Sequence, residues 1–183
     1  MMRAIIASLA LFSCMVFAGP KVLIETNIGA FTVALNSEKA PITTHNFLRY
    51  VKDGSYVGSI FHRIIPGFMA QGGGFDQQMN RLKSYAPIEN EASNGLKNDT
   101  ATIAMARTSN PDSATRQFFI NLSDNDFLNQ TGGQTGYAVF GKVVKGFNVV
   151  EEMAKEPTHS LGQMRDVPVK PIVITNIKVI KNS

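Results

Sequence analysis

Beyond residue 20 the apolar residues of this chain fall into short runs rich in β-branched and aromatic side chains, punctuated by glycine, proline and asparagine. A chain written this way has to pair many short strands and then hide their edges, which a sandwich or a closed barrel does. Lys21 to Thr26 and Ala30 to Leu35 alternate apolar and polar residues around Asn27-Ile28-Gly29, the pattern of a β-hairpin. Ile60 to Ile65, Phe68 to Gln71, Thr102 to Ala106, Gln117 to Asn121 and Tyr137 to Val143 read as further strands. Pro171 to Ile180 reads as a last strand, able to close the sheet against the first hairpin. Two segments change to the helical period: Phe47, Leu48 and Val51 between Pro41 and Gly54, and Phe147, Val149, Val150 and Met153 within Gly146 to Ala154, closed by Pro157. With 183 residues, 44% hydrophobic and 17% charged, the chain has the length for one domain with a full core and the composition of a folded protein.

The first eighteen residues are of another kind. Met1-Met2-Arg3 gives a positive start, Ala4 to Phe17 is almost wholly apolar, and Val16-Phe17-Ala18 ends in a small-x-small pattern: the layout of a secretory signal peptide cut after Ala18. The run is shorter than the about 20 apolar residues that a spanning helix needs. The expected division is therefore 1–18 signal peptide and 19–183 folded domain, with no membrane attachment after cleavage. Cys14, the single cysteine, lies in the leader. The alternative, lipid attachment at Cys14, has to accept the bulky Phe12 in the Leu11-Phe12-Ser13 segment before it; with cleavage after Ala18 the mature chain has no thiol and no disulfide. Loss of Arg3 takes the formal charge from +4 to +3, 17 basic residues against 14 acidic. The basic residues are scattered, so no nucleic-acid or membrane patch is written into the sequence.

Three Gly/Asn-rich stretches, Gly72 to Gly95, Thr108 to Thr115 and Asn129 to Gly136, are long enough to carry function. The densest chemistry precedes the first, in Phe61-His62-Arg63-Ile64-Ile65-Pro66-Gly67-Phe68-Met69-Ala70-Gln71-Gly72-Gly73. Strict alternation puts Phe61, Arg63 and Ile65 on one face and His62 and Ile64 on the other, setting an arginine in line with core residues. Pro66-Gly67 then turns the chain and brings Phe68, Met69 and Gln71 back beside Arg63, where apolar surface, an amide and a guanidinium converge. Gln117 and Phe119 repeat the pairing of amide and ring, two residues apart on one face. Taken singly, the arginine is an ordinary snorkelling residue and each ring an ordinary core residue; their convergence is what singles them out.

The Phe61 to Gly73 run, Ile103-Ala104-Met105-Ala106, the Ser113 to Ile120 stretch ending in Gln117-Phe118-Phe119-Ile120, and Val139-Phe140-Gly141-Lys142-Val143 occur in the order found in cyclophilins. The chain resembles that family from Lys21 to Ile180, and most of all the periplasmic cyclophilins of Gram-negative bacteria, which share Met105-Ala106-Arg107-Thr108 and Gly136-Tyr137-Ala138-Val139-Phe140-Gly141. The resemblance implies a mainly β fold: a closed eight-stranded antiparallel β-barrel capped by two α-helices, with a peptide groove on its outside. It implies a periplasmic peptidyl-prolyl cis-trans isomerase that assists the folding of exported proteins. Carried over position by position, the catalytic residues are Arg63 and Gln71, and the substrate-binding residues Phe68, Met69, Ala106, Arg107, Gln117, Phe119, Phe127, Leu128 and Tyr137. The same resemblance implies no cofactor and no metal, proline-containing unfolded or flexible polypeptides as partners, and a monomer. Phe127 stands where the commonest eukaryotic pattern has tryptophan, Tyr137 where it has histidine, and Arg107 where it has asparagine; the first departure implies weak cyclosporin binding at most.

Resonance holds an amide planar behind a barrier of about 18–20 kcal/mol, so uncatalysed prolyl isomerisation takes tens to hundreds of seconds. In the twisted state the prolyl nitrogen regains a basic lone pair, and Arg63, always charged and rich in donors, is suited to hydrogen-bond it. That interaction is absent from the planar ground state, which is the condition for it to raise the rate. Phe68, Met69, Phe119 and Leu128 would hold the ring, with Gln71 and Gln117 positioning Arg63 and the substrate backbone. No serine sits in a G-x-S-x-G context, and His45, His62 and His159 lack metal-ligand spacing, so hydrolase and metalloenzyme readings find no support. The alternative that stays open is a peptide-binding chaperone whose isomerase activity is secondary.

Overall fold

In the computed structural model, which describes residues 19–181, β1 (Lys21–Thr26) and β2 (Gly29–Leu35) form the hairpin that their alternation predicts, in register from Lys21 opposite Ala34 to Thr26 opposite Gly29. The expected signal peptide and Cys14 lie outside the described residues. Then follow α1 (Pro41–Lys52), β3 (Ile60–Ile65), β4 (Met69–Gly72), β5 (Thr102–Met105), β6 (Phe118–Asn121), β7 (Val139–Lys145), α2 (Phe147–Met153), β8 (Thr158–Leu161), β9 (Met164–Pro168) and β10 (Ile172–Ile180). Eight of the strands close into an antiparallel barrel in the order β1-β10-β3-β4-β6-β5-β7-β2. The last strand does pair with the first, Val22 lying opposite Val179 and Ile24 opposite Ile177, so the barrel has no free edge.

Val22, Ile24, Phe31, Val33, Ile103, Phe118, Ile120 and Phe140 fill the interior, each from an alternate position of its strand. Phe47 of α1 lies against the rings of Tyr56, Phe118 and Phe140, with centroids 5.3, 5.5 and 5.2 Å away. Ala40 cannot cap α1 with its side chain. The Glu91 carboxylate takes that place, accepting from the Ile42 and Thr43 amides at 3.0 and 2.7 Å.

Strict alternation fails once along β3. Phe61 lies opposite Gly72 and Arg63 opposite Gln71, so His62 is an extra residue, a β-bulge. The bulge resets the phase: Phe61 and Ile64 enter the barrel core, while Arg63 and Ile65 face the outer surface. Phe61, Arg63 and Ile65 therefore do not share a face, and the arginine is aimed away from the core.

Between Pro157 and β10, a stretch that the hydrophobic pattern leaves unassigned, β8 and β9 form a separate two-stranded hairpin outside the barrel, packed beside β3. Tyr137, predicted to begin a strand, instead donates its amide to the Leu128 carbonyl, and β7 begins at Val139.

Candidate active site

Four neighbouring strands build the site. Phe68 closes the β3–β4 turn by donating its amide to the Ile65 carbonyl at 3.0 Å, with Gly67 in the left-handed region at φ +69. The register then sets Gln71 between Arg63 on one side and Phe119 on the other, with Ala104 beyond Phe119. Because side chains of paired residues share a face, Arg63, Gln71 and Phe119 emerge together on the outside of the barrel.

Arg63, Phe68, Met69, Gln71, Ala106, Arg107, Phe119, Leu128 and Tyr137 line one concavity of about 440 Å³, open to solvent on one side. That is nine of the eleven expected site residues. Met69, Phe119 and Leu128 are the buried, apolar part, 3%, 4% and 9% exposed. Gln117 belongs to the site at one remove: its Oε1 accepts from Gln71 Nε2 at 2.9 Å. Its side chain lies flat on Gly74, where a Cβ would come within 2.6 Å of Cγ and Cδ, so only glycine leaves it room. Phe127 is 64% exposed and packs on Phe68 at 5.5 Å, forming a ledge beside the concavity rather than a wall of it.

Two devices hold the far wall. Arg107 stacks over the Tyr137 ring at 4.4 Å and donates to the carbonyls of Thr108, Thr135 and Gly136, and Tyr137 meets Phe119 edge-on at 5.7 Å. Behind it, three buried asparagines form a chain. Asn125 Nδ2 donates to the Phe68 carbonyl at 2.9 Å and to Asn121 Oδ1 at 2.7 Å; Asn121 Nδ2 donates to Thr102 Oγ1 at 2.9 Å and Asn98 Oδ1 at 3.2 Å; Asn98 Nδ2 reaches the carbonyls of Leu128 and Tyr137 at 3.2 and 3.4 Å. The backbones of three lining residues from three different segments are thereby tied to one satisfied polar network.

The Arg63 side chain is 42% exposed and its Nε lies 3.5 Å from Asp166 Oδ2. Gln71 donates to Gln117 and makes no hydrogen bond with Arg63. Next to Arg63, the His62 imidazole is buried against Phe75 and held to about 4, first by burial and then by the charges of Arg63 and Arg81, so it is neutral at neutral pH.

The model of the family described as cyclophilin type peptidyl-prolyl cis-trans isomerase matches residues 21–179, nearly all of the described chain. The chain belongs to this family. It is a cyclophilin-type enzyme, isomerising peptide bonds that precede proline in polypeptides. A peptidyl-prolyl cis-trans isomerase of Acinetobacter baylyi is 51% identical over 96% of this chain and 94% of its own length. Peptidyl-prolyl cis-trans isomerase A of Dickeya dadantii is 52% identical over 87% and 84%. Among solved structures, a cyclophilin of Cryptosporidium parvum aligns with TM-score 0.75 at 27% identity over 90% of this chain and 99% of its own, and the same protein was also solved in the presence of the dipeptide Ala-Pro.

Reading the sequence of this cyclophilin misses Asp166 and the asparagine chain. Asp166 had a signal: Gly162-Gln163 between Thr158–Leu161 and Met164–Pro168 is a two-residue hairpin link, hidden because β8 is exposed along its whole length and carries no apolar alternation. The asparagines had none, since nothing in their spacing tells a buried network from a polar loop.

Proposed function

We propose that the chain works in the periplasm, after loss of residues 1–18, as a monomer that speeds the folding of exported proteins at their X-Pro bonds. Arg63 stabilises the twisted amide. The observation carrying this reading is the placement of Arg63 at the mouth of a well whose floor is Met69, Phe119 and Leu128. A prolyl ring buried there sets its nitrogen near a guanidinium, which can donate to a lone pair only once resonance is broken. The Gln71–Gln117 pair offers amide groups to the flanking backbone, and Phe68 and Phe127 extend the apolar surface along the peptide. No covalent bond is made or broken, so shape and donors suffice. A charge-assisted hydrogen bond of about 1.5–3 kcal/mol corresponds to roughly ten- to a hundredfold in rate.

Protease-coupled isomerisation of a proline tetrapeptide, together with refolding of a proline-limited protein, tests the reading. Arg63→Ala should retain its fold and lose at least about tenfold in kcat/KM in both assays. A folded Arg63→Ala protein as fast as wild type overturns it. A wild-type protein that assists refolding without isomerising the tetrapeptide establishes the chaperone reading instead.

Export is supported by the leader pattern and by where the described barrel begins: Lys21 opens β1, and the Pro20 carbonyl accepts from Leu35 at 3.0 Å, so every strand described in the barrel starts after the expected cut. Intact mass of the periplasmic protein should give a chain beginning Gly19-Pro20-Lys21. One retaining Met1, or one starting at an acylated Cys14, refutes it.

A further inference from the structure

We propose that Asp166 is a positioning residue for catalysis: its carboxylate holds Arg63 by the Nε edge and so aims the two Nη groups into the proline well. The inference rests on the role given to Arg63 above. A side chain as long as arginine and nearly half exposed does not keep one orientation by itself. Of the neighbours that line the well with it, Arg107 is itself a cation held by three carbonyls and the Tyr137 ring, and Gln71 gives its Nε2 to Gln117 and makes no hydrogen bond with Arg63. Asp166 is the carboxylate within ion-pair distance of Arg63 among the described residues, 3.5 Å from Nε to Oδ2.

The way the chain brings Asp166 there supports the same conclusion. The β8–β9 hairpin contributes no strand to the barrel, and β8 is exposed throughout. It is anchored by Val167 and Pro168, which are buried, immediately after Asp166. Asp166 itself has φ +60, a left-handed conformation uncommon for a residue with a side chain, in a hairpin whose pairing slips between His159 and Leu161. The irregular backbone turns this one carboxylate toward β3. The Nε–H leaves the side chain laterally, so a carboxylate paired with that edge favours one setting of the Cδ–Nε torsion and leaves terminal donors for the prolyl nitrogen.

Steady-state kcat and KM for a proline tetrapeptide, measured on wild type, Asp166→Asn, Asp166→Gly, Arg63→Ala and Arg63→Ala/Asp166→Asn, test the proposal. Asparagine and glycine both tolerate the positive φ, so the two single variants remove the charge without straining the hairpin. Both should lower kcat about two- to fivefold, the range an exposed ion pair supports, with KM unchanged. Adding Asp166→Asn to Arg63→Ala should cost nothing more, because Asp166 acts through Arg63. Raising the salt from about 10 mM to about 1 M should bring wild-type kcat down toward the Asp166→Asn value while leaving that variant flat. A wild-type kcat in Asp166→Asn beside a slow Arg63→Ala overturns the proposal alone, as does a loss that persists in the Arg63→Ala background. A wild-type rate in Arg63→Ala overturns the role of Arg63 and this inference with it.

Discussion

Mild acid should loosen this protein through one residue, His62. The bulge that turns Arg63 outward buries the neighbouring imidazole to 3% exposure against Phe75, with Nδ1 lacking a partner. Burial holds the imidazole near 4, against an ordinary value of 6.5; the Ile60 backbone pulls the other way, and the smaller effects of the Arg63 and Arg81 charges add to the lowering. Above pH 6.5 the ring is neutral whether the chain is folded or not, and nothing is at stake. Between 6.5 and 4 the unfolded chain binds a proton that the folded chain refuses, so stability falls by about 1.4 kcal/mol for each pH unit and levels off below 4 after a loss of about 3 kcal/mol. The window is clear of the exposed carboxylates Asp76 and Asp124, held below 3.8 by hydrogen bonds from Asn80 and Thr100. Urea unfolding at pH 7.5 and pH 4.5 measures the effect: with a slope of about 2 kcal/mol per molar, wild type should lose roughly 1.3 M from its midpoint. His62→Phe, which keeps a ring against Phe75 and cannot bind a proton, should lose far less. Equal midpoint shifts in the two proteins would refute the argument.

Removing the middle of the asparagine chain, Asn121→Ala, leaves Asn98 Oδ1 without a partner inside the barrel wall and takes from Asn125 Nδ2 one of its acceptors, the Phe68 carbonyl remaining; urea unfolding should show a loss of about 1–3 kcal/mol, and a loss under about 0.5 kcal/mol would mean the network is not satisfied as described. Gly74→Ala should displace Gln117 and raise KM for a proline tetrapeptide with little change in melting temperature, whereas an unchanged KM would detach Gln117 from the site. Phe127→Trp should tighten cyclosporin by roughly fivefold, because indole supplies an N–H that the exposed Phe127 ring lacks; equal affinity measured by titration calorimetry would remove that explanation.

What the sequence states and what it conceals follow from how local the information is. The β1–β2 hairpin, both helices and the closure by β10 are written in periods of two and 3.6 residues with turn chemistry between, and they can be read directly. The convergence of Arg63, Phe68, Met69 and Gln71 is also local, because one tight turn brings them together. The facing of Arg63 is not: the bulge at His62 depends on how β3 meets Gly72 across the sheet, and a strict alternation runs straight through it. Asp166 is hidden twice, on a hairpin without an apolar face and by a contact to a strand far away in the chain. Phe127 carries the family position but stands on the ledge, since the three-residue turn Asp126–Leu128 sends Leu128 inward and leaves Phe127 to solvent.

The central claim is that Arg63 acts on the twisted amide and not on the resting peptide. Exchange spectroscopy on a proline peptide with wild type and Arg63→Ala separates the two, because it gives the catalysed cis–trans rate on the protein, while a titration of the same peptide gives its affinity. Arg63→Ala should slow the on-enzyme exchange at least about tenfold and shift the dissociation constant by less than about threefold. An unchanged exchange rate, or a loss of activity that lies wholly in the dissociation constant, would contradict it.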